Sequence, residues 1–368
     1  MKGSRVAGRL NVVLGLSVLL TLTAWTPGQD GAGSQPGPQS QSKEARAAAP
    51  AESVQAINDE YDRQVAELDH RRLEQLTRLA ARQDPGAAAA TYEQLFRLAI
   101  AGNQFREAEA AAVAVVKNGS PSPATAALAY LVKLIAESDR GAYEESLATL
   151  RQAVEKSAKT EAARPALLTS EIVGICDAYY QRLVQADQFG VARRAFRLAL
   201  ENVQSPALEE FLAGRLKRLD LVGKPAPAIR GKDLDGKPFD LAEARGKVVL
   251  VEFWASWCLP SADEFEWMKQ TARAYRSRGF QVVGINVDTL RNGGETPAKV
   301  LPDIRRFLLD HNVVWPTLVN GPGAADHARA YGVTEIPASV LIARDGTVAH
   351  IDLVRDYLDA AIAREVGR

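Results

Sequence analysis

The chain of 368 residues holds two cysteines, Cys176 and Cys258, and only the second has neighbours that suit sulfur chemistry. Cys258 stands in the run Val251-Glu252-Phe253-Trp254-Ala255-Ser256-Trp257-Cys258-Leu259-Pro260-Ser261. There a buried-strand pattern over residues 247–254 gives way to a helical one over 259–278. A cysteine at a helix start faces unpaired backbone N–H groups and the positive end of the helix dipole, and both favour the thiolate. Pro260 opens the helix without wasting a donor, and Trp254 and Trp257 are expected to form an apolar rim that limits water at the sulfur. Asp263, Glu264 and Glu266 stabilise the helix start but temper thiolate formation by like charge. Cys258 is therefore the candidate nucleophile. Cys176, within Ile172-Val173-Gly174-Ile175-Cys176-Asp177-Ala178-Tyr179, reads as a small hydrophobe, and at most as a distant resolving thiol. Two cysteines exclude a disulfide-stapled scaffold, and His70, His311, His327 and His350 have no ligand spacing, so no metal is expected. Gly293-Gly294 is a turn without a phosphate-loop signature, and no cofactor is expected.

The elements that must position this cysteine occupy a long chain. Its length suggests two folded domains plus tails. Hydrophobic residues at 46% and charged residues at 24% are ordinary globular usage, which argues against wholesale disorder and against multiple membrane spans. Lys plus Arg equals Asp plus Glu, 45 against 45, so no net field draws the protein to nucleic acid. Lys2, Arg5 and Arg9 followed by an apolar run over 10–25 have the pattern of an export signal, or of an N-terminal membrane anchor if retained. The Pro-, Gly-, Gln- and Ser-rich stretch over 26–42 reads as a tether. The expected organisation is a signal or anchor over 1–25, a linker over 26–50, an all-helical domain over 51–220, and an α/β domain over 221–368.

Within the helical part, Val54, Ile57, Tyr61, Val65, Leu68, Leu76 and Leu79 recur at helical spacing and predict one long amphipathic helix over 52–83, packed on the helices after it. Breaks near Gly102-Asn103, Ser120-Pro121, Arg140-Gly141, Pro165, Phe189-Gly190 and Ser205-Pro206 divide the rest into helices. Three segments place an aromatic three residues before a small side chain: Phe105 and Ala108, Tyr143 and Ser146, Phe189 and Ala192. This resembles the second helix of tetratricopeptide repeats, in degenerate form, since the aromatics fall 38 and then 46 residues apart. An irregular helical bundle is the competing reading. Either form is expected to be a docking or spacing module that presents a surface to a protein partner.

After Val222 the order of strands and helices is that of a thioredoxin-like α/β fold, a mixed sheet flanked by helices. The Cys258 run resembles the active-site segment of thioredoxin-like proteins, F-W-A-x-W-C-x-P-C. Arg329-Ala330-Tyr331-Gly332-Val333 and Glu335-Ile336-Pro337-Ala338 are similar to the family's cis-proline loop. Val222-Gly223-Lys224-Pro225-Ala226-Pro227 and the strand over 280–288 are similar to the TlpA/ResA and redoxin branch, whose members are exported and often membrane-tethered. The resemblance implies catalytic roles for Cys258, Glu252, Ser261 and Pro337, with Glu252 beneath the active site as proton acceptor. It implies a substrate surface of Trp257, Leu259, Pro260, Ile336 and Ala338, where Ala338 replaces the family's common threonine.

Ser261 decides the mechanism. The family's second cysteine resolves the mixed disulfide, and a serine can hydrogen-bond a thiolate but cannot form a disulfide. The leading expectation is an exported, periplasmic or envelope oxidoreductase for thiol-disulfide exchange, acting as a monothiol on an exported protein or a low-molecular-weight disulfide, with an external thiol to release Cys258. The alternative is a redox-inactive binding module. A peroxidase of peroxiredoxin type is disfavoured, because the P-x-x-x-T/S-x-x-C pattern meets Val251 and Ala255 here.

Overall fold

The computed structural model describes residues 53–158 and 169–367. The expected signal, linker and Pro165 break lie outside the described residues. Eight helices come first: α1 Val54–Ala80, α2 Pro85–Ala101, α3 Phe105–Asn118, α4 Pro123–Asp139, α5 Tyr143–Ala158, α6 Thr169–Gln185, α7 Phe189–Asn202 and α8 Pro206–Leu219. Prolines at the first position and capping side chains set several starts: Asp84 accepts from the Gly86 and Ala87 amides, and Ser122 from the Thr125 amide.

The three aromatic-to-small segments each open the second helix of a hairpin. Phe105, Tyr143 and Phe189 are the first residues of α3, α5 and α7, while Ala108, Ser146 and Ala192 are fully buried where the helices meet. Two residues before each aromatic the backbone turns left-handed, at Asn103, Gly141 and Asp187, residue types that tolerate that conformation. The third break therefore falls at Asp187, and Gly190 lies inside α7. Hairpins α2/α3, α4/α5 and α6/α7 stack through α2 on α4 and α4 on α6.

The long helix forms, but its apolar stripe is not packed along its length. Leu73 and Ala80 are buried and Leu76 is half-buried, whereas Val54, Ile57, Tyr61, Val65, Leu68 and Leu79 are exposed. The helix has 27 residues against 17 in α2, so its N-terminal turns project past the hairpin beside them.

The C-terminal half begins with a small antiparallel pair, β1 Arg230–Lys232 and β2 Pro238–Asp240. Then come β3 Val248–Trp254, α9 Leu259–Tyr275, β4 Phe280–Asn286, α10 Pro297–Asp310, β5 Thr317–Val319, α11 His327–Tyr331, β6 Ala338–Ile342, β7 Val348–Ile351 and α12 Arg355–Gly367. The five-stranded sheet has the order β5-β4-β3-β6-β7, with β3, β4 and β5 parallel and β6 and β7 antiparallel. This is the thioredoxin-like arrangement. The helix expected over 324–331 is split into a 3-10 turn at Gly323–Ala325 and α11, because Asp326 caps the second piece through the Arg329 amide.

The two faces of the sheet have separate cores. Val249, Val251 and Phe253 join a hydrophobic cluster continuous with the helical half, while Val248, Leu250 and Trp254 pack against α9, α10 and α12. Alternation along β3 therefore sends Trp254 inward, against Phe265 and Phe307, with no exposed surface. It forms no rim over the sulfur, contrary to the sequence-based expectation.

Candidate active site

Cys258 is the N-cap residue of α9, at the end of the loop that leaves the central strand β3. Its amide donates to the Ala255 carbonyl, which bends the chain, and its Sγ lies 4.0 Å from the Ile336 carbonyl oxygen. The Ile336–Pro337 peptide bond is cis, and Ile336 and Ala338 are buried beside it. The sulfur thus sits at a helix start and against the Pro337 loop, and the residue is only 5% exposed. Leu259, Pro260 and Ser261 belong to the first turn of α9, and the side chains of 259–263 lie outside the described residues. Trp257 is half-buried, with the Arg291 guanidinium 5.7 Å from its ring centre.

Glu252 stands in the middle of β3, paired in register with Gly284 on one side and Ser339 on the other. It is 1% exposed, and neither carboxyl oxygen has a hydrogen-bond partner among the described residues. Burial pushes its pKa well above the ordinary 4.5, and the charges of Glu264, Asp352 and Cys258 push it further the same way. A carboxyl so placed is shifted towards its protonated form, which is the condition for trading a proton with a nearby group. Cys176 offers less: burial, with Asp177 adding to it, pushes its thiol up to about 12.

Two sets of residues around the site were missed in the sequence. The first is Asp288, just beyond β4. It accepts from the Ser256 amide at 2.8 Å, from the Ser256 hydroxyl at 2.5 Å and from the Asn286 side chain at 3.2 Å, and so fixes the loop that delivers Cys258. Burial raises its pKa although these bonds favour the charged form. The second is an ion cluster across the two halves. Arg215 and Arg218 of α8 meet Glu335, two residues before Pro337, and Asp352, just after β7. Arg218 also donates to the Gly332 carbonyl, and Tyr180 of α6 donates to Asp352 at 2.6 Å. Burial opposes the Asp352 charge, yet Arg218 and Arg215 outweigh it and hold the carboxyl below its ordinary value; for Glu335 burial wins and the shift is upward. The signal available was the Arg215 and Arg218 pair, three apart on one helix face, with acids near Pro337 to receive it.

Among the described residues no group of His, Cys, Asp and Glu is arranged to hold a metal ion. Val251 and Ala255, seven and three residues before Cys258, are fully buried and apolar.

The C-terminal half is similar to known proteins. Residues 222–351 match the AhpC/TSA family. The chain is 30% identical over 127 residues to the thiol-disulfide oxidoreductase ResA of Bacillus thuringiensis subsp. konkukian, covering 34% of this chain and 66% of the relative, slightly under two thirds of its length. It is also 30% identical to the ResA of Geobacillus thermodenitrificans, over 35% of this chain and 68% of that protein. Among solved structures, a thiol:disulfide interchange protein of Chlorobium tepidum is 30% identical, over 39% of this chain and 96% of that one, with a TM-score of 0.33. Through its C-terminal half, the chain belongs to the family of the ResA proteins, relatives that are named thiol-disulfide oxidoreductases.

Proposed function

We propose that the protein is an exported oxidoreductase that exchanges thiols and disulfides through Cys258 alone. The observation that carries this reading is the placement of a single sulfur at the cap of α9, against the Pro337 loop, in a chain that has Ser261 where a second cysteine would resolve the intermediate. The Cys258 thiolate attacks one sulfur of a substrate disulfide; that S–S bond breaks, and the departing thiolate takes a proton. The mixed disulfide persists until an external thiolate attacks the substrate sulfur, which regenerates Cys258 and leaves the substrate joined to the incoming thiol. Glu252, buried and unpaired, is the group that accepts and returns a proton as Cys258 alternates between thiol and thiolate.

Export is supported by the basic and then apolar segment over 1–25. Among the described residues no helix is long and apolar enough to cross a membrane. The stacked hairpins support a repeat-like helical module that faces its own C-terminal half. Peroxide reduction is not favoured, since Val251 and Ala255 offer no hydroxyl near the sulfur.

The test is acid trapping of the full chain from its own cell envelope, followed by mass spectrometry of the Cys258 peptide. A thiol-reversible adduct that is absent in Cys258→Ser supports the reading. A free, alkylation-resistant thiol through pH 9 overturns it in favour of a redox-silent module, the reading that the 5% exposure of Cys258 would then explain.

A further inference from the structure

Helices α6 and α8 do not merely abut the sheet; they close over one side of the Pro337 loop and leave a pocket of about 200 Å³. The helical half contributes Asp177, Gln181 and Arg215, and the C-terminal half contributes Glu252, Glu264 and Asp352 together with Glu335 and the strand start at Ile336, Pro337, Ala338 and Ser339. Five carboxyl groups thus face one guanidinium. That guanidinium is already engaged, through Nε with Glu335, Nη1 with Asp352 and Nη2 with Asp177. Arg218, behind it, is held by Asp352 and Glu335. The cavity therefore has no arginine to spare for an anionic ligand.

It has acceptors to spare. Both oxygens of Glu252 and Oδ1 of Asp352 are buried without a donor among the described residues. Buried acceptors left without donors are costly, and a donor that also carries positive charge satisfies them best in an acid-rich wall. Asp177 and Gln181, one turn apart on α6, stand at the side of the pocket formed by the helical half.

We infer that this pocket receives a lysine or arginine side chain of the substrate polypeptide, so that the helical half selects which disulfides reach Cys258. The inference rests on the proposed exchange chemistry. A substrate segment extended along Ile336 and Ala338 places alternate side chains on one side, and one of them enters between α6 and Glu252.

The experiment uses the full chain and three peptides, each carrying one cysteine as a 2-thiopyridyl disulfide and differing only in a Lys, Gln or Glu near it. Attack by Cys258 forms the peptide adduct and releases the thiopyridone, whose absorbance gives the rate. The Lys peptide is expected to react about tenfold faster than the Gln peptide, a difference of ~1.4 kcal/mol, and faster still than the Glu peptide. The readout is the ratio of rates within each protein, so a general loss of reactivity cancels. The ratio should fall towards one in the Asp177→Asn, Glu264→Gln double variant and at high ionic strength, and should invert in Asp177→Lys. Equal rates for the three peptides on the unaltered protein overturn the subsite and leave the exchange chemistry standing. No release from any peptide overturns both.

Discussion

Glu252 and Asp352 open to the same pocket and are almost equally hidden from water, yet their acidities move in opposite directions. Asp352 has two guanidinia and a phenol around it and stays charged. Glu252 has no donor among the described residues and is driven towards its neutral form. Burial alone therefore does not fix what a carboxyl does; its neighbours do. The paired acid joins the two halves, and the unpaired one is pushed towards its protonated form.

The comparison can be broken most forcefully at its paired side. Arg218→Ala leaves Asp352 and Glu335 short of a partner in the interior and should lower stability by about 3–5 kcal/mol in urea denaturation. A loss below about 1 kcal/mol would mean that the cluster is not the lock it resembles. At the unpaired side the sign reverses. Glu252→Gln removes an acid that burial penalises and should raise stability at neutral pH by about 1–3 kcal/mol while slowing exchange at Cys258.

Titration sharpens the same contrast. A carboxyl whose folded-state pKa is raised binds more protons folded than unfolded, so its contribution to stability falls as pH rises above the ordinary 4.5. The stability of Glu252→Gln minus that of the unaltered protein should thus widen with pH from there. Asp352 is held below its ordinary 3.8, so its stabilising contribution is present above that value and lost as pH falls through the folded pKa. The advantage of the unaltered protein over Asp352→Asn should shrink in acid. If both differences have the same slope, the two acids are not opposed in this way. The smallest effect is expected at Ser256→Ala, which deletes one hydrogen bond to Asp288 and should cost about 1–2 kcal/mol, with a modest slowing of adduct formation at Cys258.

The cysteine corner was legible because its chemistry is local. Strand, turn, Cys258, Pro260 and helix are contiguous, and the cis bond at Pro337 accompanies a motif that names itself. The repeat-like pattern was legible for a similar reason, since an aromatic and a small residue three apart share one helix face. Trp254 was misplaced because its role depends on strand parity, which ties it to Val248 and Leu250 rather than to its chain neighbour Trp257. The exposed stripe of α1 escaped notice because amphipathic spacing says where a face points and not whether a partner reaches it. The ion cluster was hidden by distance along the chain: Arg215 and Asp352 are 137 residues apart, and neither segment signals the other.

The seam between the halves also rests on two facing glycines. A side chain at Gly214 would run into Thr334, with its first carbon 2.8 Å from the Thr334 methyl and 3.1 Å from the Gly332 carbonyl. One at Gly332, whose φ is +70°, would lie 2.8 Å from the Lys217 Cβ. A single methyl added to α8 would therefore work as a wedge, prying the turn ahead of Pro337 away from its support by mechanical means alone.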